Sequence, residues 1–460
     1  MKSGSSKRFR GIVRSATATL AAGCVLLALL QPATAADAVR PLDRILRARL
    51  QVLLKGTVEA IEKNYYDPDF KGNDLKALES KAHERIEQAA TYDQALAAIA
   101  DLTDQLDDTH TRFFPPWQTV QVRYGWGWQV VGDQAVVSNV VSGSDAERQG
   151  VRPGEHLLSI NGFPATRETS TALGYIFYSL RPQPGLHVEL ANAQGLHREL
   201  DLAASYKRRR SVLDLSMVSG DAWAQLASER DKDMARTRPQ VIEVGQDTLI
   251  VRLPMFGPPA RVLTYFGKLE SKSVLVLDLR GNGGGQVDTL AAIYGLLTDK
   301  PVPLAILKTR EGAGTLMSEA SGAHAFKGRV FVLADSQSAS ASELMARSVQ
   351  LQERGTVIGD RTAGAVMASR SYDVAAGGGE NVILAQVSVT MADVTMPDGG
   401  RLEKHGVLPD FVVLPTAADL AEGHDPALAL ALKFAGHPTD PAAAWQLLHD
   451  EQELKNHQDD

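Results

Sequence analysis

The chain has 460 residues, 44% of them hydrophobic and 22% charged, with a formal net charge of −7. This composition belongs to a globular protein with room for several domains, and not to a disordered or collagen-like chain. An acidic balance without a long basic run argues against nucleic acid as a partner. The 11 histidines show no His-x-x-x-His spacing and there is no Cys-x-x-Cys pair, so neither a metal site nor a cofactor is indicated.

Residues 1–35 read as a secretory signal. Lys2, Lys7, Arg8, Arg10 and Arg14 form a basic start, Ala16 to Leu30 is apolar, and Ala33-Thr34-Ala35 offers a small-x-small cleavage site. The apolar run is short of the ~20 residues that a spanning helix needs. Cleavage after Ala35 removes five positive charges and takes the net charge from −7 to −12. Cys24, the only cysteine, follows Ala21-Ala22-Gly23, so lipidation there is a lesser alternative and the one route to membrane association. The mature chain is expected in the periplasm or outside the cell, without a disulfide.

Residues 36–118 carry a helical pattern. Leu46, Leu50, Leu53, Leu54, Val58 and Ile61, then Ile86, Ala90, Leu96 and Ile99, recur mostly at three-to-four spacing. Tyr65 to Asp69 interrupts it as a loop around Pro68. From 119 to 205 the character changes to short strands and glycine turns: Ala135–Val141 and Leu157–Ile160 are strand-like, and Asn161-Gly162 is a hairpin signal. The order of Ala146, Gly150-Val151, Pro153-Gly154-Glu155 and Ile160-Asn161-Gly162 resembles a PDZ domain. Such modules add an extended peptide as an extra strand and hold its terminal carboxylate in a glycine-bearing loop. By that resemblance the loop is Tyr124-Gly125-Trp126-Gly127-Trp128, with Gly125, Trp126, Gly127 and Trp128 as peptide-binding residues. The two tryptophans read equally well as core packing.

Across 206–420 strands and helices alternate. Arg208-Arg209-Arg210 reads as a solvated linker. Leu249–Leu253, Val274–Leu279, Arg329–Ala334 and Thr356–Gly359 are strand-like, and Leu290–Leu297 and Glu343–Gln352 are helix-like. Residues 421–460 form a helical tail. The expected fold is a multidomain α/β (α+β) chain: a helical N-terminal region, a PDZ-like β-rich module and a layered α/β domain.

Two stretches of the α/β part carry chemistry. Val330–Ala334 breaks into Asp335-Ser336-Gln337-Ser338-Ala339-Ser340-Ala341-Ser342-Glu343 and then enters a helix, the layout of a nucleophile elbow. The helix start aims unpaired N–H groups at any negative charge that develops there. About fifty residues earlier, Asp278-Leu279-Arg280-Gly281-Asn282-Gly283-Gly284-Gly285 leaves the end of a strand, where glycines expose N–H donors. No Gly-Lys-Ser/Thr follows, so it is not a Walker phosphate loop. Asp278 and Arg280 read as a structural ion pair or as hydrogen-bond partners of a loop.

In this order the two motifs resemble the tail-specific (C-terminal processing) serine peptidases and the tricorn protease core. Gly359-Asp360-Arg361-Thr362-Ala363-Gly364, Leu402–Asp410 and Asp425–Leu428 extend the likeness over most of the mature chain. The resemblance implies a catalytic domain of the ClpP/crotonase type, peptide or protein substrates, and Ser340 as nucleophile. Ala341, Gly283 and Gly284 would then supply oxyanion N–H groups, while Ser336, Ser338 and Ser342 stand as rival nucleophiles.

One departure matters. In the processing peptidases a lysine base follows the Thr-x-Gly of that segment, and here Thr362-Ala363-Gly364 leads to Ala365. Serine needs an adjacent base near neutral pH. In the tricorn-like branch a histidine before the PDZ module serves, beside a hydroxyl residue and supported by a glutamate. Leu106-Asp107-Asp108-Thr109-His110-Thr111 resembles that segment, which makes His110 the base, Thr109 its hydroxyl neighbour and Glu403 the supporting carboxylate. His405 and Lys308 are competing bases. The reading is an exported serine endopeptidase; the alternative is an inactive relative that binds peptides or lipophiles.

Overall fold

A computed structural model of the chain describes residues 42–116, 120–192, 194–208, 239–377 and 382–456. The signal segment, Cys24 and Arg209-Arg210 lie outside the described residues. Among the described residues no helix is long and apolar enough to cross a membrane.

Three helices open the fold: α1 (Arg44–Asn64), α2 (Leu75–Gln88) and α3 (Tyr92–Asp104). Each starts on a side-chain cap, with Asp43, Asp74 and Thr91 accepting the N–H of Leu46, Ala77 and Gln94. The predicted stripe of α1, from Leu50 through Ile61, is buried. It does not form a free-standing bundle. Its partners include Val374, Ala376, Ala385, Val387 and Val389 of an antiparallel sheet contributed by distant sequence. That sheet joins β1 (Arg112–Phe114), β13 (Pro303–Thr309), β14 (Gly312–Met317), β17 (Met367–Ala376) and β18 (Ile383–Thr395). The sequence pattern missed it because β17 runs through Ser369-Arg370-Ser371, three exposed residues that break period-two alternation.

Residues 120–208 hold a second β-rich unit. Its sheet runs β3 (Trp126–Val131), β4 (Gln134–Val140), β5 (His156–Ile160), β7 (Gly185–Ala191) and β8 (His197–Ala203), with β6 (Phe163–Pro164) paired to β5 across the Asn161-Gly162 turn. Helix α5 (Arg167–Tyr175) belongs to the same unit. The chain enters and leaves through β2 (Val120–Arg123) and β9 (Ser205–Arg208), which pair with each other. At the head of α5, Arg167 ion-pairs with Asp360 at 2.9 Å, and the Gly132 N–H donates to the same carboxylate oxygen at 2.8 Å.

The remaining strands build the central sheet in the order β10 (Gln240–Val244), β11 (Thr248–Arg252), β12 (Val274–Asp278), β15 (Arg329–Ala334), β16 (Thr356–Gly359) and β19 (Phe411–Val412). All pairs after β10–β11 are parallel. Strand β12 reads as an unbroken apolar run because both faces are covered. Leu275 and Leu277 face a core with the helices Val287–Gly295 and Ala341–Leu351, while Val274 and Val276 pack under Pro426–Ala435 and Pro441–Asn456. Parallel pairing brings the C-terminal ends of β11, β12, β15 and β16 to one edge, the usual place for a site in such sheets.

Candidate active site

Strand β15 delivers the elbow. Its helix begins at Ala341, directly after Ser340, two residues earlier than the sequence pattern suggests. Ser340 has φ 55° and ψ −117°, a conformation that L-residues adopt only when their surroundings hold them. Two bonds hold it: the Ser340 N–H faces the Ala365 carbonyl at 2.9 Å and the Glu343 carboxylate at 3.1 Å.

The serines of the elbow are not equivalent. Ser336 donates to the Val130 carbonyl at 2.5 Å, Ser338 to that of Leu279 at 2.8 Å and Ser342 to that of Asn282 at 2.9 Å. The Ser340 hydroxyl donates to no group among the described residues. It alone is left with its proton uncommitted.

Strand β12, beside β15, delivers the glycine loop against the elbow. Gly284 sits at φ +101°, and a Cβ placed there would lie 2.7 Å from the Cβ of Ser340, so only glycine fits. Asn282 is the knot of this loop. Fully buried, it donates to the Leu253 carbonyl at 2.7 Å and accepts the Gly284 N–H at 2.8 Å. Its own carbonyl accepts the Ala339 N–H at 2.9 Å. The Gly284 N–H is thereby spent within the loop, while the Gly283 and Ala341 N–H groups have no acceptor among the described residues. Asp278 and Arg280 form the ion pair read from sequence, and Arg280 reaches on to Asp425 with two bonds of 2.8 Å. Burial and these two carboxylates dominate that arginine's environment, and the balance holds its guanidinium firmly charged.

Glu343, buried three residues into the helix, was overlooked as a site residue. Its carboxylate accepts from the Thr362 hydroxyl at 2.5 Å and from the N–H groups of Gly364 at 2.8 Å, Ala365 at 2.9 Å and Ser340 at 3.1 Å. Burial pushes this carboxyl up to about 7, against four hydrogen bonds that favour its anion. The Ser-x-x-Glu spacing of a capping box was the available signal. Its effect is to fasten the 362–365 loop to the elbow.

The same loop receives the histidine segment. The Val366 N–H donates to Glu403 Oε2 at 2.8 Å, the Thr109 N–H to Glu403 Oε1 at 3.0 Å and the Thr109 hydroxyl to Oε2 at 3.0 Å. Thr109 Oγ1 then stands 2.8 Å from His110 Nδ1. A hydroxyl has one proton to give, and a carboxylate can only accept. Thr109 therefore donates to Glu403 and accepts from Nδ1, which assigns the proton to Nδ1 and leaves the Nε2 lone pair free. Burial holds the His110 pKa down to about 4, opposed by the charge of Asp108 and assisted by Arg112, so the ring is neutral at pH 7. Burial likewise raises the Glu403 carboxyl, against its bonds from Val366 and Thr109.

Of the competing bases, His405 turns Nδ1 to the Glu403 carbonyl at 2.8 Å, and Lys308 lies on the exposed end of β13 in register with Asp393. In the β-rich unit Gly125 leads into β3, where Trp126 is 4% exposed and packs into the core, while Gly127 and Trp128 continue the strand. The Trp126 indole N–H is buried without a partner among the described residues.

The uncommitted serine on its strained turn and the carboxylate–hydroxyl–imidazole relay are both bonded to the Ala365–Val366 peptide unit, and these are the kinds of group that acyl transfer needs. Residues 247–413 match the model of peptidase family S41. Over that stretch, a little more than a third of the chain, the protein is similar to peptidase family S41. The chain is 27% identical to a chloroplastic C-terminal processing peptidase of Tetradesmus obliquus, over 80% of its own length and 78% of the relative's. It is 26% identical to a carboxyl-terminal-processing protease of Synechocystis, over 82% and 84% of the two chains. Among solved structures, the photosystem II D1 C-terminal processing protease superposes with a TM-score of 0.50 at 21% identity, covering 86% of this chain and 99% of that one. Mature CPAF complexed with lactacystin superposes at 0.56 with 15% identity, covering 88% and 100%. These likenesses carry the mixed α/β fold, with its helical N-terminal region, as the sequence suggested. The chain is a serine-type peptidase.

Proposed function

We propose that the chain is an exported endopeptidase that cuts peptide bonds through an acyl-enzyme on Ser340. His110 Nε2 takes the Ser340 proton as Oγ attacks the scissile carbonyl carbon. The Gly283 and Ala341 N–H groups receive the oxyanion. Collapse breaks the C–N bond, and the imidazolium returns its proton to the leaving amine. Water then attacks the ester by the same route, and Ser340 recovers its proton. Thr109 and Glu403 hold the ring in the tautomer that the first step requires. That relay is the observation that carries the reading, since it supplies the base that Ala365 cannot.

Residues 119–205 are the PDZ-like module in this reading, engaging an extended segment of the substrate. Strand β3 has β4 as its one paired strand among the described residues, and an added strand would pair along its other edge. Export rests on the basic, apolar and small-residue order of residues 1–35. The alternative, an inactive peptide-binding relative, draws its support from Ala365. Turnover of reduced, unfolded casein by residues 36–460 decides between them. Cleavage that is lost in Ser340→Ala supports the peptidase, and binding of casein without cleavage supports the alternative.

A further inference from the structure

We infer that Asp108, which the family resemblance does not bring forward, is the positioning residue of the base: its carboxylate fixes the backbone on which His110 stands without touching the ring. The inference rests on the proposed role of His110.

Asp108 gathers three distant parts of the chain. Its Oδ1 accepts the His110 N–H at 3.0 Å, the Thr111 N–H at 2.6 Å and the Thr390 hydroxyl at 2.7 Å. Its Oδ2 accepts the Tyr65 hydroxyl at 2.9 Å and lies 3.0 Å from that of Thr111. Tyr65 ends α1 and Thr390 lies in the middle of β18, and both are fully buried. The anchor points are therefore rigid. Two consecutive N–H groups closing on one carboxylate oxygen make a tight Asx-type turn, and that turn sets where residue 110 leaves the chain. Just before it, Asp107 sits at φ 52°, a left-handed conformation that the turn must hold.

The relay from Glu403 acts on a different degree of freedom. Thr109 orients the imidazole about its own bonds through Nδ1, whereas Asp108 places the backbone from which the side chain springs. Both are needed, since an error of about 1 Å in a catalytic group can cost ~100-fold in rate.

Asparagine separates position from charge at this site. In Asp108→Asn the amide oxygen can keep the three Oδ1 donors, and the amide NH2 then meets two hydroxyls, each able to accept. In Asp108→Ala all these bonds are lost. The experiment measures inactivation by an ethoxyfluorophosphonate at Ser340 in residues 36–460, resolved into the maximal rate and the half-saturating concentration, with His110→Ala alongside. The expected result is a fall of about 100-fold in the maximal rate for Asp108→Ala, with the half-saturating concentration within about twofold of wild type. Asp108→Asn is expected to stay within about tenfold, and the downfield proton resonance of the His110 Nδ1–H to persist in it and vanish in Asp108→Ala.

A folded Asp108→Ala that inactivates at the wild-type rate would overturn the inference, and so would an Asp108→Asn as slow as the alanine variant. If Asp108→Ala does not fold, Tyr65→Phe, which deletes one donor to Oδ2, takes its place. A several-fold lower maximal rate then supports the inference and an unchanged one overturns it. His110→Ala separates the two levels. If it inactivates like wild type, the base assignment fails and this inference with it. If it is inert while the Asp108 variants behave as wild type, only the role of Asp108 is lost.

Discussion

Ser340 and Glu403 are joined through a single peptide unit. The carbonyl of Ala365 accepts the Ser340 N–H at 2.9 Å, and the N–H of Val366, on the other side of the same amide plane, donates to Glu403 Oε2 at 2.8 Å. The elbow and the histidine relay are thus referred to one rigid group. The backbone of Ala365 thereby ties the elbow to a histidine segment that lies some 255 residues earlier in sequence.

The hydroxyl of Thr109 is the middle link of that relay, between His110 Nδ1 and Glu403 Oε2. Thr109→Val keeps the shape but removes the acceptor of Nδ1–H and the hydroxyl that donates to Glu403 Oε2. Acylation of Ser340 is expected to fall ~10–100-fold, within the range for general-base assistance. Thr109→Ser should remain within a few-fold of wild type. Rates of fluorophosphonate labelling for the two variants check this, and equal rates would remove Thr109 from the mechanism.

Burial of His110 has a consequence for stability. Its folded pKa, about 4, lies below the ordinary 6.5, so between those values the unfolded chain binds more protons than the folded one. Its contribution is fully present above pH 6.5 and is lost as pH falls toward 4. Thermal denaturation from pH 7 to pH 4.5 should show wild type losing stability relative to His110→Gln. The comparison within one background cancels Glu343, whose raised carboxyl works in the opposite direction over the same interval.

Gly284→Ala tests the contact between the glycine loop and the elbow. The added methyl would stand 2.7 Å from the Ser340 Cβ and 2.9 Å from the Ala339 carbonyl, at a φ that alanine resists. Labelling of Ser340 is expected to drop by ~100-fold or more while circular dichroism stays near wild type. Labelling at the wild-type rate would mean that the loop does not frame the nucleophile.

Arg280→Ala leaves the carboxylates of Asp278 and Asp425, 1% and 7% exposed, without their shared cation. Breaking a buried pair by removing one partner costs about 3–5 kcal/mol. A large fall in Tm is expected, with activity lost in step with folding. An unchanged Tm would show that this network contributes nothing net.

Much of the fold could be read from the chain because local chemistry decides it. Strand β12 is apolar on both faces and is followed by glycines; the α1 stripe recurs at helical spacing; β15 runs straight into small residues. Helix–strand alternation likewise announced the layered sheet. Other parts could not be read, for physical reasons. Strand β17 pairs with β18 while presenting Ser369, Arg370 and Ser371 to solvent, so burial left no periodic mark on it. Asp108 and Thr390, 2.7 Å apart, are separated by 282 positions, and no window along the sequence contains both. Glu343 and Asn282 lay inside recognised motifs, but their work is done by bonds to Thr362, Gly364 and Leu253, which only folding brings near. Side chains that act locally leave local signals, whereas those that tie loops together do not.

The most direct test of the account is fluorophosphonate labelling of residues 36–460, mapped by mass spectrometry, in wild type and His110→Ala. Modification of Ser340, and of no other elbow serine, that disappears in His110→Ala is the predicted result. Labelling of Ser340 at an undiminished rate in His110→Ala, or no labelling of the folded wild-type chain, would contradict it.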